Sequence, residues 1–122
     1  MDGLTLQAYV RGSDEAATLY QNAFGAELEN IHQNDDGTYY HVELKINGFK
    51  FALSESFFDE SIKGNTMQFI FHFGEGMEAV VQKAYDVLKD EAQVLYPLGP
   101  CGWSSLMFGL IDKYGVNWCI SI

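Results

Sequence analysis

Residues 97–122 read PLGPCGWSSLMFGLIDKYGVNWCISI, and this stretch decides the fold. Two alternating hydrophobic runs, 105–111 and 116–122, flank Asp112-Lys113-Tyr114-Gly115. A glycine at such a boundary supplies the positive φ of a tight connection, so the stretch reads as a β-hairpin. Earlier in the chain, runs 39–46 and 49–54 flank Asn47-Gly48, the strongest short hairpin signal that a sequence offers. The chain therefore reads as two copies of one unit.

Working outward, residues 4–10 alternate, with Leu4, Leu6, Ala8 and Val10 on one side and Thr5, Gln7 and Tyr9 on the other, as in a half-buried strand. Gly12-Ser13-Asp14-Glu15 then opens a helix, with Ser13 as N-cap and acidic residues placed to suit the helix dipole. Ala16, Leu19, Tyr20, Ala23 and Phe24 recur at helical spacing, and Gly25 stops the run. Residues 27–33 alternate imperfectly, and Asn34-Asp35-Asp36-Gly37 turns the chain into 38–46. Residues 57–65 have no steady period and read as a connection between modules. The second half repeats the order, with a strand at 66–73 and an amphipathic helix at 77–89. In that strand Met67, Phe69, Phe71 and Phe73 take one face and Gln68, Ile70 and His72 the other.

The repeat has a definite register. A shift of 63 residues carries Glu15-Ala16 onto Glu78-Ala79, and with them Thr5 onto Gln68. A shift of 67 carries Gly48 onto Gly115, Phe51 onto Trp118 and Ala52 onto Cys119. Internal repetition of this length outweighs any one strand assignment.

Composition removes several functional classes. The 122 residues are 48% hydrophobic, enough for one packed domain or two modules of about sixty residues. A formal net charge of −10 argues against nucleic acid or an anionic membrane surface as partner, since both reward clustered Lys and Arg. No apolar stretch reaches the roughly 18 residues of a membrane span, and Met1-Asp2-Gly3 does not begin a signal peptide, so the expectation is a cytoplasmic protein. Cys101 and Cys119 are too few and too badly spaced for a zinc knuckle, and Cys119 reads as a buried structural thiol.

The order βαβββ twice, together with Gly12-Ser13-Asp14-Glu15-Ala16, Leu19-Tyr20 and Phe24-Gly25, resembles the vicinal-oxygen-chelate superfamily of glyoxalases, bleomycin-resistance proteins and extradiol dioxygenases. Pro97-Leu98, Trp103, Phe108-Gly109, the run from Asp112 to Val116 and Trp118 are similar to the closing signature of its PhnB-like branch. The resemblance implies an α+β fold of two βαβββ modules, 1–56 and 66–122, forming curved mixed sheets with a cleft. Members of this branch are often described as ubiquinone-pathway methyltransferases. Here no strand runs through a Gly-rich loop into a helix in the way a nucleotide cofactor needs.

The resemblance also implies where a divalent metal would sit in catalytic members, on His, Gln or Glu from the first and last strands of each module. The matching positions are Thr5, Gln68, Ala52 and Cys119, of which only Gln68 is a natural ligand of that type. Gln7, Ser54 and Glu55 enter if the register slips. A catalytic site usually asks for about three N or O ligands, so no metal and no other cofactor is expected.

The expected cleft lining is His41, Glu43, Gln68, Phe69 and Trp103, with no catalytic residue assigned. His41, Glu43 and Lys45 share one strand face, which either lines the cleft or is solvated. His72 is read as a structural histidine among phenylalanines, His32 as a solvated residue near a loop, Trp103 as a lid or a core cap, and Trp118 as core. The leading function is binding of a small molecule in a sheet-lined cleft without metal. The alternative is a metal-dependent lyase, isomerase or dioxygenase, with Glu43 or Glu55 moving a proton. The resemblance further implies a homodimer, for which Phe57 and Phe58 are the expected contact.

Overall fold

In the computed structural model, residues 1–57 and 67–122 are described, and the chain separates into two compact units, Met1–Ser61 and Ile62–Ile122. The first runs β1 (Leu6–Val10), α1 (Ser13–Phe24), β2 (Glu27–Gln33), β3 (Tyr39–Ile46) and β4 (Phe49–Glu55). The second runs β5 (Phe69–His72), α2 (Glu78–Leu88), β6 (Gln93–Gly99), β7 (Met107–Ile111) and β8 (Asn117–Ser121). Each forms a four-stranded mixed sheet, ordered β1-β4-β3-β2 and β5-β8-β7-β6. This is the α+β, twice-repeated βαβββ order expected. The expected connection, including Phe58, lies outside the described residues except for Phe57, which is exposed.

The register of the repeat is carried by the parallel pairs. Leu6 pairs with Phe51 and Phe69 with Trp118, while Tyr9 pairs with Ser54 and His72 with Ser121. The shifts of 63 and 67 residues thus carry every β1–β4 pair but the last onto a β5–β8 pair. On the hairpin side, Glu43 opposite Ala52 answers to Gly109 opposite Cys119, so the second hairpin is longer by one residue. Asn47 and Gly48 take positive φ of 48° and 83°, the conformation a two-residue turn of matching twist demands.

Alternation fixes which side of each sheet meets its helix. In the first unit Val42, Leu44, Phe51 and Leu53 are buried with Ala16, Tyr20 and Phe24, and the Tyr20 and Phe51 rings meet edge-on at 6.1 Å. In the second, Val81, Ala84 and Leu88 are buried with Phe108, Leu110, Trp118 and Ile120, and Tyr85 packs on Phe108 at 5.1 Å. Each fully buried side chain of this size contributes about 1.5–3 kcal/mol, so these two clusters hold the units together. Gly109 gives room for Tyr96, whose ring carbon would stand 3.1 Å from an added Cβ.

Three local expectations are corrected. Ser13 is the first helical residue and not the cap: Gly12 occupies the N-cap with φ 76°, and the capping acceptor is Glu55 from β4. Its carboxylate accepts from Gly12 N at 3.1 Å, Ser13 N at 2.9 Å and Ser13 Oγ at 2.8 Å. A long-range carboxylate outcompetes the local hydroxyl because it neutralises two orphan N–H groups with a full charge. Leu4 is 81% exposed and of the alternating set only Val10 is buried, because β1 is an edge strand. The broken alternation of 27–33 is a bulge between Glu29 and His32, where Asn30 takes φ 47°.

Candidate functional site

The same alternation that buries Val42 and Leu44 turns His41, Glu43 and Lys45 to the face of the first sheet away from α1. On that face Ala52 and Ser54 from β4 stand beside Gln7 and Tyr9 from β1, and His32 of β2 is paired with His41. Here Gln7, Tyr9, His32, Tyr40, His41 and Ser54 line a pocket of about 430 Å³.

Its polar groups are ordered by one another. Gln7 Nε2 donates to Ser54 Oγ at 2.7 Å, and Ser54 is only 5% exposed. The His32 and His41 rings lie 6.4 Å apart, centre to centre. His41 Nε2 is 3.5 Å from Glu43 Oε1, and the other Glu43 oxygen accepts from Asn30 Nδ2 at 2.6 Å and faces Lys50 Nζ at 3.2 Å. The Asn30 bond is the main reason that the Glu43 carboxyl is held below its usual range. Partial burial opposes it, and Lys50 and His41 add to it. Lys50 and Lys45 also reach Glu29, at 3.9 and 3.8 Å. The bulge at Asn30 is what brings its amide to Glu43.

Of the five expected lining residues, His41 and Glu43 are thus brought together in the first unit. Gln68 and Trp103 belong to the second. There Gln68 Nε2 donates to Asn117 Oδ1 at 3.2 Å, and Trp103, 59% exposed, meets the His72 ring edge-on at 5.8 Å. His72 Nδ1 is in turn 2.7 Å from Ser121 Oγ. Phe69 is placed differently from Gln68: its ring packs on buried Trp118 at 5.6 Å, on the α2 side of the sheet, because neighbours in a strand point to opposite faces. His32 is exposed near the end of β2, as read, and it also lies on the pocket wall. Gln7, Tyr9, Tyr40 and Ser54 complete the lining, and the signal for Gln7 and Tyr9 was their place on the polar side of the first strand.

The residues at the metal positions implied by the fold do not fit a metal. Thr5 precedes β1, Ala52 has no side-chain donor, and burial followed by the nearby Cys101 pushes the Cys119 thiol up, away from the thiolate a metal binds. Gln7, the nearest amide in β1, is engaged by Ser54. Among the described residues, no three His, Cys, Asp or Glu gather as a metal ion would require. No helix among them is long and apolar enough to cross a membrane.

Comparison with known proteins places this arrangement. The PhnB protein of Bacillus cereus, a putative 3-demethylubiquinone-9 3-methyltransferase, superposes with a TM-score of 0.81 at 24% identity, over 98% of both chains. Protein PA1353 of Pseudomonas aeruginosa gives 0.79 at 21% identity, over 99% of this chain and 97% of its own. A mutant of the fosfomycin resistance protein FosX of Listeria monocytogenes, complexed with manganese(II) and 1S,2S-dihydroxypropylphosphonic acid, gives 0.69 at 14% identity, over 99% and 90%. These likenesses are of fold. No curated protein matches the sequence. The Glyoxalase family model matches residues 4–120, nearly the whole chain, and with the twice-repeated βαβββ order it shows that the protein belongs to the Glyoxalase/Bleomycin resistance protein/Dioxygenase superfamily.

Proposed function

We propose that the protein binds a small organic molecule on the open face of its first sheet, without a metal taking part. The observation that carries this reading is the pocket itself: six side chains with hydrogen-bonding groups surround about 430 Å³, a size suited to a small ligand, while the family's chelating positions hold Thr, Ala and Cys beside a single Gln. Preformed walls favour it too, since the Gln7–Ser54 bond and the His41–Glu43–Asn30 chain hold polar groups in place before a ligand arrives.

Two further parts belong to the proposal. A homodimer is supported by exposed Phe49 and Phe57, at 79% and 69%, large apolar side chains that a second copy would cover. Sedimentation at micromolar concentration tests it, and a monomer would count against it. A cytoplasmic location is supported by two free thiols, Cys101 and Cys119, which suit a reducing compartment.

The metal-free reading is tested by elemental analysis of protein purified without chelator or metal-binding tag, beside Gln68→Ala. The expected result is no stoichiometric divalent ion in either. About one ion per chain, falling in the variant, would overturn it and bring forward the metal-dependent enzyme.

A further inference from the structure

We infer that the pocket of the first unit selects uncharged, ring-bearing molecules that carry an adjacent hydrogen-bond donor and acceptor, such as an amide. This deepens the reading just given and rests on it. Three observations lead to it.

First, the lining contains no Asp, Glu, Lys or Arg. Glu43, the carboxylate beside His41, is already engaged by Asn30 at 2.6 Å, Lys50 at 3.2 Å and His41 at 3.5 Å, and Lys50 is shared with Glu29. A charged ligand would give up its water and find no counter-ion, and burial of an unpaired charge is heavily penalised. An anion is opposed further by the net charge of −10.

Second, Ser54 is 5% exposed and its only side-chain hydrogen bond among the described residues is the one with Gln7. That bond uses the lone pair of one partner and the proton of the other. In either orientation of the Gln7 amide, two donors and three acceptor lone pairs remain on the two side chains, so both kinds of group are left over at the pocket wall. An amide or a hydroxyketone answers both at once, and a carboxylate, having no proton to give, answers one. Third, Tyr9 and Tyr40 are 65% and 69% exposed on the lining, leaving apolar ring surface uncovered beside those polar groups. A flat ring covers such surface at little entropic cost.

The test uses three probes of nearly one shape and three charges: benzamide, benzoate and benzamidinium. Each is titrated into the isotopically labelled full chain at pH about 8, above the ordinary imidazole range. Salt is held at about 0.5 M, so that surface charge is screened and the pocket alone discriminates. Benzamide is expected to shift the Gln7, Tyr9 and Ser54 resonances with a Kd at least about tenfold below that of either ion. In Ser54→Ala the benzamide Kd rises about fivefold, the loss of one neutral hydrogen bond. If an ion binds these residues as tightly as benzamide, or the Ser54 variant binds benzamide unchanged, the ligand class is wrong while the pocket stands. If none of the three probes moves a pocket resonance, the pocket reading fails and this inference fails with it.

Discussion

Asp112 Oδ2 accepts the indole N–H of Trp118 at 2.8 Å, and both residues are buried. The other carboxylate oxygen accepts from Tyr114 N at 2.9 Å and Val116 N at 3.0 Å, so one side chain ties the turn between β7 and β8 to the core of the second unit. Removing it takes one hydrogen bond from the indole N–H and one from each of two turn amides. Asp112→Ala is expected to lower stability by about 3 kcal/mol, read from the urea midpoint, because three hydrogen bonds to one buried carboxylate are lost together. A loss under about 1 kcal/mol would show that the turn holds without it.

Glu55 is assigned to structure by the three hydrogen bonds it accepts at the start of α1. Glu55→Ala should cost about 1–2 kcal/mol through the exposed N-terminal amides, with ligand binding at the pocket retained. Unchanged stability together with lost binding would instead return Glu55 to the role of a proton carrier.

The bond from Asn30 is the largest cause of the lowered pKa of Glu43. Glu43 has its folded pKa depressed, so its contribution is present above the unfolded carboxylate range and is lost as pH falls through the folded value. Asn30→Ala removes the largest cause of that depression. The expected result is a Glu43 titration, followed by NMR, that moves upward toward the ordinary carboxylate range, with acid unfolding beginning at higher pH. An unmoved Glu43 would assign the depression to Lys50 and His41.

Burial raises the Cys119 thiol, and Cys101 adds to the effect. A raised acid of this kind stabilises the fold below the unfolded thiol pKa and loses that contribution as pH climbs through the folded value. With iodoacetamide at mildly alkaline pH, half-exposed Cys101 is expected to react first and Cys119 to lag until the protein unfolds. Equal rates for the two thiols would place Cys119 within reach of solvent.

The repeat was legible because the features that encode it are local: Asn47-Gly48 and Gly115 mark turns, and the alternating runs on either side have a period of two. Even the shifts of 63 and 67 residues reappear as the pairing of β1 with β4 and of β5 with β8. Ser13 was misread as the cap because Glu55 comes from 42 residues away, and no local pattern announces such an acceptor. His32 is exposed near the end of β2, as read, and its place on the pocket wall follows from its pairing with His41, which no local pattern announces. Phe69 and Gln68 were both expected in the lining, although the alternation of their strand already set them on opposite faces.

The central claim is that the open face of the first sheet binds a small molecule and needs no metal to do so. Its most direct measurement is an NMR map of amide shifts on adding benzamide, recorded before and after exhaustive treatment with chelator. The account predicts shifts centred on Gln7, Tyr9, His32, Tyr40, His41 and Ser54, identical in the two samples. Shifts that vanish with chelator, or that fall outside this face, would contradict it.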